Sequence, residues 1–355
     1  MCISRDYATG RVDLTLAFLL ALTACVDEPS APPTAASATP AAHASLNIVP
    51  SGYAVSVLPV PYEYGSANAI NENGVIVGWA TTLNGTRAVR WTNGSMVDLG
   101  TLPGDHASVG QGISNSGLIV GKSVFNDYNF SASWRSFLFV PNVGMLSLHD
   151  PNMYSDSWAN AISPNTNVVV GGGGGSGLGS PAFRWSWAKG MEYLGGYFKM
   201  AEALDVNDAG TTVGYIRSWG EGTEKAYLWW PNGSGKWIGT LGGCCSQATG
   251  INASDEVVGW SKTANGETHV FRWTYVGGLQ DLGSLEMAMD VSAKGRIVGC
   301  CSSSSSWTLN GGQLSYLPNF SPGGINSANA VNSCGTIVGS SGIQPLVWHR
   351  RTCDP

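Results

Sequence analysis

Short apolar segments alternate with turn residues along most of the chain, and residues 247–285 show this pattern most clearly. Two apolar, β-branched runs flank the sequence Asn252-Ala-Ser-Asp255, whose residue types favour a tight hairpin turn. Residues 270–273 and 279–282 then alternate between apolar and polar side chains, with the period of half-buried strands. The segment therefore predicts four short antiparallel strands.

The same pattern occurs seven times. A glycine that closes the second predicted strand returns at intervals of 43, 50, 43, 45, 40 and 40 residues. These glycines are Gly78, Gly121, Gly171, Gly214, Gly259, Gly299 and Gly339. Before each first hairpin turn stands a side chain that can bond the turn backbone. These residues are Asn71, Ser114, Ser163, Asn207, Asn252, Ser292 and Asn332.

An aromatic side chain ends the third predicted strand of every copy. The seven are Trp91, Phe139, Trp185, Trp229, Trp273, Trp307 and Trp348. A large flat ring at one position in each repeat packs against the neighbouring repeat, so we interpret these residues as core. A period of about 43 residues with four strands is typical of propeller blades and not of helical repeats.

The two ends of the repeat region are each incomplete. Tyr53 to Leu58 forms a lone alternating strand, whereas residues 328–348 supply three strands. The two ends complete one blade if the N-terminal strand is its outer strand, and closing the ring in this way removes exposed sheet edges. The sequence thus predicts an all-β fold, a seven-bladed β-propeller of four-stranded antiparallel blades, as one domain over residues 48–355.

The repeat is also similar to a known family. From about residue 66 onward the chain resembles extracellular HAF-repeat proteins, and the copy discussed first carries the resemblance. Its matching residues are Ile251-Asn252, Val257-Val258-Gly259, His269-Val270-Phe271-Arg272-Trp273 and Asp281-Leu282-Gly283. Asp255 replaces the turn glycine of the family pattern, which Asp tolerates. The resemblance implies an exported β-repeat protein and supplies no catalytic residue.

The N-terminal residues predict export and tethering. Two arginines precede a short apolar run, residues 14–24, which is typical of a signal peptide over residues 1–24. Leu22-Thr23-Ala24-Cys25 resembles the lipobox of bacterial lipoproteins, which implies lipidation of Cys25; a plain signal peptide is the alternative. Residues 25–47, rich in Pro, Ala, Ser and Thr, predict a disordered tether. We therefore expect a lipid-anchored protein of the bacterial cell envelope, with the membrane contacted through the anchor only.

Composition excludes one large class of partner. The chain has 355 residues, a formal net charge of −6 and only 12% charged residues, without a Lys/Arg cluster. A nucleic-acid-binding protein needs a basic patch for the phosphate backbone, so no nucleic-acid partner is expected. The low charge and the apolar content instead predict a large folded domain, which we expect to be a monomer.

Sequence motifs give no clear catalytic or metal site. Asp105-His106 and His149-Asp150 stand in successive inter-blade connections, but a metal site needs three or four converging ligands. The glycine run Gly171 to Gly175 lacks the helix start and the Lys-Ser/Thr pair of a phosphate loop. We predict no metal, no cofactor and no catalytic residue. Paired carboxylates from distant blades, as in glycoside hydrolases, stay open.

Six cysteines fall in the predicted propeller. Cys334 lies in the first hairpin turn of the last blade and Cys353 follows its third strand, positions that antiparallel strands place on one face, so we predict a disulfide. The adjacent pairs Cys244-Cys245 and Cys300-Cys301 leave two possibilities: vicinal disulfides, or bonds between the pairs. Vicinal disulfides occur in some quinone-cofactor propeller dehydrogenases, whereas ordinary stapling in an oxidising compartment is the other interpretation.

The most variable connections predict where a ligand binds. Inter-blade connections and the loops between second and third strands lie on the face opposite the hairpin turns, and loops on a rigid scaffold commonly carry recognition. The predicted ligand-binding residues are Trp79, Asp105, His106, Tyr154, Trp158, Trp219 and Trp260. Aromatic faces with a few polar groups suit a carbohydrate or protein ligand. The predicted function is a non-catalytic binding propeller at the cell surface or in the periplasm; the alternatives are a carbohydrate-active hydrolase or lyase, a quinoprotein-type oxidoreductase and a purely structural envelope protein.

Overall fold

The computed structural model describes residues 46–62, 64–126, 132–152, 154–175, 179–195, 200–217, 222–300, 305–320, 326–350 and 353. These residues contain 29 strands and no helix. They therefore include no helix long and apolar enough to cross a membrane. The predicted signal peptide, its lipobox cysteine Cys25 and nearly all of the predicted tether lie outside the described residues.

The strands form seven sheets arranged in a ring, each with four antiparallel strands, as the sequence predicts. Two strands precede the blades: β1 (Asn47–Ile48) and β2 (Tyr53–Val57). Blade 1 has β3 (Gly65–Ile70), β4 (Ile76–Thr82), β5 (Gly85–Thr92) and β6 (Ser95–Asp98). Blade 2 has β7 (Ala107–Ile113), β8 (Ile119–Asn126), β9 (Ala132–Val140) and β10 (Gly144–Ser147). Blade 3 has β11 (Tyr154–Ile162), β12 (Val169–Gly175), β13 (Ala182–Ser186) and β14 (Gly190–Leu194).

The remaining blades follow the same order. Blade 4 has β15 (Met200–Val206), β16 (Thr212–Arg217), β17 (Glu224–Trp229) and β18 (Gly235–Gly239). Blade 5 has β19 (Gly242–Ile251), β20 (Val257–Thr263), β21 (Thr268–Thr274) and β22 (Gly278–Asp281). Blade 6 has β23 (Met287–Val291), β24 (Ile297–Cys300), β25 (Trp307–Asn310) and β26 (Gln313–Tyr316). Blade 7 has β27 (Asn326–Val331), β28 (Ile337–Ser341) and β29 (Gln344–Arg350), with β2 as its outer strand.

The N-terminal strand closes the ring. Strand β2 pairs antiparallel with β29, from Tyr53 opposite Arg350 to Val57 opposite Leu346, which confirms the predicted closure. The Tyr53 hydroxyl also donates to the carbonyl of Gly335 at 2.9 Å. Strand β1 adds an unpredicted element, because it pairs in parallel with β26 on the outer edge of blade 6. Asn47, predicted as the last tether residue, belongs to this strand.

A β-bulge in every first strand explains the repeated glycines. In blade 1, Ala67 pairs with Gly78 and Ala69 with Val77, so Asn68 between them has no paired residue in β4. The register shifts in the same way in the other six blades. A Cβ at the repeated glycine would lie 1.8 to 2.1 Å from a first-strand carbonyl oxygen in all seven blades. The glycines therefore lie inside the second strands, opposite the bulges; the prediction that they close these strands is wrong.

The repeated aromatic residues lie in the core between blades. Trp91 of blade 1, for example, packs with Val338 and Val347 of blade 7. Blade 6 departs from our sequence alignment, because Leu309 pairs with Ile297 at the position where the other blades have the aromatic residue. Trp307 lies two residues earlier and is still buried, and its indole N–H donates to the carbonyl of Leu285 at 3.0 Å.

The hairpin turns bond as the sequence predicts. Asn252 Oδ1 accepts from the backbone N–H groups of Ser254 and Glu256, at 3.0 and 3.1 Å. The corresponding Asn or Ser accepts from its own turn in the other six blades. Where the residue is Asn, its Nδ2 also donates to a carbonyl of the next blade, as from Asn252 to Ser292 at 3.1 Å. Each such Asn therefore ties its own turn to the neighbouring blade.

Candidate functional site

The first strands of all seven blades surround an axial channel whose two ends differ. The hairpin face carries the turns between first and second strands, and the loop face carries the inter-blade connections. We name the channel level nearest the loop face the aromatic mouth, and define it by the residue pairs next to the repeated-glycine pairs, on the side away from the bulges. These pairs are Ser66–Trp79, Val109–Lys122, Trp158–Gly172, Glu202–Tyr215, Gln247–Trp260, Met287–Cys300 and Ser327–Ser340.

Three of the predicted binding residues share the mouth. Trp79, Trp158 and Trp260 are half-buried and belong to blades 1, 3 and 5. They lie within first or second strands and not in loops, so their positions are fixed by strand pairing. The indole N–H of Trp158 donates to Glu202 Oε1 at 2.7 Å, and that of Trp260 donates to Gln247 Oε1 at 3.3 Å. Among the described residues, the Trp79 indole N–H has no acceptor.

Glu202 is the polar centre of the mouth. Its Oε1 accepts from Trp158 and from Asn160 Nδ2 at 2.9 Å, both on blade 3, while its Oε2 accepts from the Tyr215 hydroxyl at 2.6 Å. Burial and the negative charge of Glu202 raise the pKa of Tyr215 above its ordinary value. Three donors thus hold one carboxylate in a fixed orientation, which is the arrangement expected of a preorganised recognition group.

Lys122 supplies a positive charge near the same carboxylate. Its ammonium lies 4.2 Å from the centre of the Trp134 ring, within range of a cation–π interaction. Burial lowers the pKa of Lys122, and the negative charge of Glu202 partly opposes this shift. The mouth therefore combines indole rings, one oriented carboxylate and one partly desolvated ammonium.

Asp105 and His106 lie on the loop face, in the connection between β6 and β7 and outside the mouth. The Asp105 carboxylate is buried and pairs with Arg135 of β9, whose Nε donates at 3.3 Å. It therefore holds the connection against blade 2. The His106 side chain is exposed, and its backbone carbonyl accepts from Arg87 Nη1 at 2.6 Å.

Tyr154 and Trp219 have different outcomes. Tyr154 is only 2% exposed, its hydroxyl donates to the carbonyl of Pro181 at 2.8 Å, and its ring packs edge-on against Phe183. It is a core residue with no surface for a ligand, so its predicted binding role is wrong. Burial also raises the pKa of Tyr154. Trp219 lies outside the described residues.

A Ser–His contact near the loop face has a structural explanation. His149 Nδ1 lies 2.8 Å from Ser157 Oγ, and Ser157 is buried. In blade 5 the equivalent Ser246 donates to the carbonyl of Gly239 at 2.7 Å. His149 thus takes the place of the carbonyl that bonds the equivalent serine of blade 5, and the contact links adjacent blades. Burial and the positive charge of Arg135 lower the pKa of His149.

The hairpin end of the channel is a cavity of about 450 Å³, and its lining includes four residues with carboxyl groups, Glu72, Asp205, Asp208 and Asp290. Asp205 accepts from its own neighbour Val206 and from Ile251 of blade 5, both at 2.8 Å. Asp290 accepts likewise from Val291 at 2.7 Å and from Val331 of blade 7 at 2.8 Å. Each of these two aspartates therefore links its own blade to the next blade through hydrogen bonds.

The carboxyl groups of Asp205 and Asp290 both hold protons more tightly than usual. Burial, with the negative charge of Asp290, raises the pKa of Asp205 to about 8. Burial, with a smaller effect of Glu72, raises the pKa of Asp290 to about 6. At pH 7 Asp205 is thus mainly neutral. Among the described residues, no group of three or more His, Cys, Asp or Glu side chains is placed to hold a metal ion.

The cysteine pairs can now be placed. A disulfide joins Cys334 to Cys353, with Cα atoms 4.3 Å apart, and so links the β27–β28 turn to the segment after β29. A vicinal disulfide joins Cys244 to Cys245 in β19. Cys300 is disulfide-bonded as well, and Cys301 lies outside the described residues.

Sequence reasoning missed Glu202, Tyr215 and Lys122, although a signal for them exists. Trp79 and Trp260 follow the repeated glycine, and the same position in the other copies gives Lys122 and Tyr215. Glu202 is the first-strand residue that pairs with Tyr215, the residue after the repeated glycine of blade 4. Aligning the seven copies and comparing every position would therefore have found the mouth.

Comparisons with known proteins support the fold and do not identify a function. No protein-family model matches the chain, and no curated protein matches it. Virginiamycin B lyase from Staphylococcus aureus is 10% identical, with 83% of this chain and 99% of that chain covered and a TM-score of 0.55. The β-propeller domain of the Trilobed protease from Pyrococcus furiosus is 8% identical, with 82% and 94% covered and a TM-score of 0.55. Identities this low show a shared propeller fold alone.

Proposed function

We propose that the chain is a non-catalytic binding propeller that takes a carbohydrate or an extended peptide at the aromatic mouth. The observation that carries this proposal is that Trp79, Trp158 and Trp260 occupy the same strand-pair position in blades 1, 3 and 5, with the Trp158 indole bonded to the oriented carboxylate of Glu202. Half-buried indoles offer apolar area, while the polar groups between them fix the orientation of a ligand.

The mouth suits a ligand that has both apolar faces and hydroxyl or amide groups. The N–H groups of Trp158 and Trp260 already have acceptors, so these two rings contribute mainly their faces. Trp79 has its N–H available for a ligand oxygen, since no described residue accepts it. Sugars and extended peptides present such oxygens beside apolar patches.

The experiment first identifies a ligand with a glycan array and a peptide pull-down, and then compares variants. Trp158→Ala combined with Trp260→Ala should abolish binding and leave the melting temperature nearly unchanged. The matched control is Trp187→Ala, because Trp187 is 61% exposed in the turn between β13 and β14 on the hairpin face. This control should bind like the wild type. Unchanged affinity in the folded double variant would contradict the proposal.

We also propose that the propeller is anchored to the cell envelope through lipidated Cys25. Support comes from the sequence Leu22-Thr23-Ala24-Cys25 after an apolar run. One acyl chain holds a protein at a membrane only marginally, whereas two or more hold it stably. If the lipidated Cys25 carries the acyl chains, membrane attachment should depend on this residue. Cys25→Ser should move the protein to the soluble fraction. Sedimentation of the variant with membranes, together with an unmodified Cys25 in the wild type, would contradict the anchor.

A hydrolase is the competing function, and one observation favours it. Asp205, with a pKa of about 8, is protonated at neutral pH, and Asp290 borders the same cavity. A cavity that holds a neutral carboxyl group and an ionised one contains the two residue types of a general acid and a base. However, each of the two carboxyl groups accepts two backbone N–H groups, which gives both a structural role. Hydrolysis of any bound glycan that is lost in Asp290→Asn would favour the hydrolase.

A further inference from the structure

The vicinal disulfide lies beside the aromatic mouth. Cys244 is exposed and Cys245 half-buried, and Gln247, which belongs to the mouth, follows two residues later in the same strand. Gln247 accepts from Trp260 and donates through Nε2 to Glu224 at 3.2 Å. A change in backbone at the cysteines is therefore two residues away from a side chain that positions a mouth tryptophan.

The disulfide occupies an irregular stretch of the sheet. Gly242 pairs with Thr263 and Ser246 pairs with Ser261, so three residues of β19 face the single residue Lys262. The stretch is held close to β20, since a Cβ at Gly243 would lie 2.5 Å from the carbonyl oxygen of Thr263. The vicinal bond closes a small ring within this stretch and restricts the peptide between the two cysteines.

The other described disulfide has a different role. The Cys334–Cys353 bond spans 19 residues of sequence and ties a hairpin turn to the end of the blade. Folding holds these two sulfurs together, and the loop that they close stabilises the fold in return. Neighbouring cysteines close almost no loop, so folding protects their bond much less from reduction. Cys244 is also an exposed residue, which favours attack by a thiolate from solution.

We propose that Cys244–Cys245 is a reversible thiol–disulfide exchange site that sets the shape of the aromatic mouth. A dithiol reductant attacks the sulfur of Cys244 and forms a mixed disulfide, and Cys245 leaves as a thiolate that takes up a proton. The second thiol of the reductant then displaces Cys244. Two protein thiols and one oxidised dithiol result, with two electrons and two protons transferred. Control of ligand binding by this site rests on the proposed function, whereas the exchange itself does not.

The experiment treats the full chain with increasing dithiothreitol, alkylates free thiols and maps the peptides that contain Cys244, Cys300, Cys334 and Cys353. The vicinal bond should be reduced at about a tenfold lower reductant concentration than Cys334–Cys353. Hydrogen exchange at residues 242–247 should rise at the same concentration, because the ring constraint is lost. Cys244→Ser with Cys245→Ser should abolish this response, and Cys334→Ser with Cys353→Ser should keep it.

Two outcomes would overturn the exchange site. One is reduction of Cys334–Cys353 before the vicinal bond, and the other is selective reduction without any change in hydrogen exchange at the mouth. A third outcome is that the vicinal bond is reduced selectively, with the expected rise in hydrogen exchange, while the glycan and peptide screens find no ligand. This result supports the thiol–disulfide exchange site and speaks against the proposed function. The two proposals therefore fail separately.

Discussion

The two ends of the axial channel are built from the same strands. They differ in how similar the residues at equivalent positions of the seven blades are. At the hairpin end, every blade has an Asn or Ser that accepts from its own turn. At the loop end, the seven blades present Trp, Lys, Gly, Tyr, Trp, Cys and Ser at one equivalent second-strand position. The repeat is thus uniform where it builds the ring, and it varies where side chains face the mouth.

A physical reason accounts for this difference. A turn residue must satisfy backbone N–H groups that are buried with it, because an unsatisfied buried donor costs about 1–3 kcal/mol. Few side chains can meet this demand, and Asn and Ser are among them. A half-buried mouth residue such as Lys122 or Trp79 meets no such demand, so its chemistry is free to serve a ligand.

The largest effect should follow from breaking the bulge itself. A Cβ at Gly171 would lie 2.1 Å from the carbonyl oxygen of Trp158, whereas at Gly172, the next residue in β12, its nearest contact is the Glu202 Cγ at 3.2 Å. Gly171→Ala should lower the free energy of unfolding by about 4 kcal/mol or more, since backbone must move. Gly172→Ala should cost less than about 1.5 kcal/mol. Urea unfolding measures both, and equal losses would contradict the role given to the bulge.

A smaller effect is expected at the hairpin turns. Asn252→Ala removes the bonds to the turn and the bond to Ser292 of blade 6, and should cost about 2–3 kcal/mol of unfolding free energy. Asn252→Ser keeps an acceptor for the turn, as Ser292 does in blade 6, and loses the bonds that Asn252 Nδ2 donates to Ser292 and to Glu256. It should cost about 1 kcal/mol. Equal costs for the two variants would show that the side-chain acceptor for the turn contributes nothing to stability.

The pH dependence of stability separates the contributions of Asp205 and Asp290, the two cavity aspartates with raised pKa values. An unfolded Asp has a pKa of about 3.9, so between this value and the raised folded pKa only the folded state keeps the proton. Stability therefore falls as pH rises, up to about pH 8 for Asp205 and about pH 6 for Asp290. A change of one in a pKa corresponds to at most about 1.4 kcal/mol, so the loss should be larger for Asp205 than for Asp290.

Melting curves from pH 4 to 9 test this expectation. Asp205→Asn should flatten the fall in melting temperature up to about pH 8, and Asp290→Asn only up to about pH 6. A wild-type melting temperature that rises between pH 5 and 8, or variants with the wild-type slope, would contradict the raised pKa values.

Much of the fold can be predicted from the sequence because the same pattern of strand and turn residues occurs in seven copies. The period, the turn residues such as Asn252 and the closing strand at Tyr53 follow from local patterns, and the structure has all three. The bulge could not be predicted in this way, because it depends on the pairing between the first and second strands. The sequence shows only the repeated glycine of the second strand. The sequence also placed Trp307 wrongly, for a related reason. An aromatic residue near the expected position fitted the pattern, but strand pairing puts Leu309, two residues later, at the position of the repeated aromatic residue.

The candidate site was only partly predictable. Trp158 and Trp260 stood out as tryptophans beyond the repeated core set, and strand pairing brings them to one level of the channel. Tyr154 stood out equally, yet its hydroxyl finds the Pro181 carbonyl and its ring is buried. Burial of one aromatic residue and exposure of another are set by contacts between blades, which a single sequence does not display.

The most direct test compares two variants within blade 5, one at each end of the channel. Trp260→Ala alters the mouth and Asn252→Ser alters the hairpin turn of the same strand pair. Titration calorimetry with the ligand from the screen, and thermal melting, are measured on both variants. Trp260→Ala should lose at least about tenfold in affinity, about 1.4 kcal/mol, with an unchanged melting temperature. Asn252→Ser should show the reverse, a lower melting temperature with wild-type affinity. Equal affinity of the two variants would contradict the assignment of binding to the loop end of the channel.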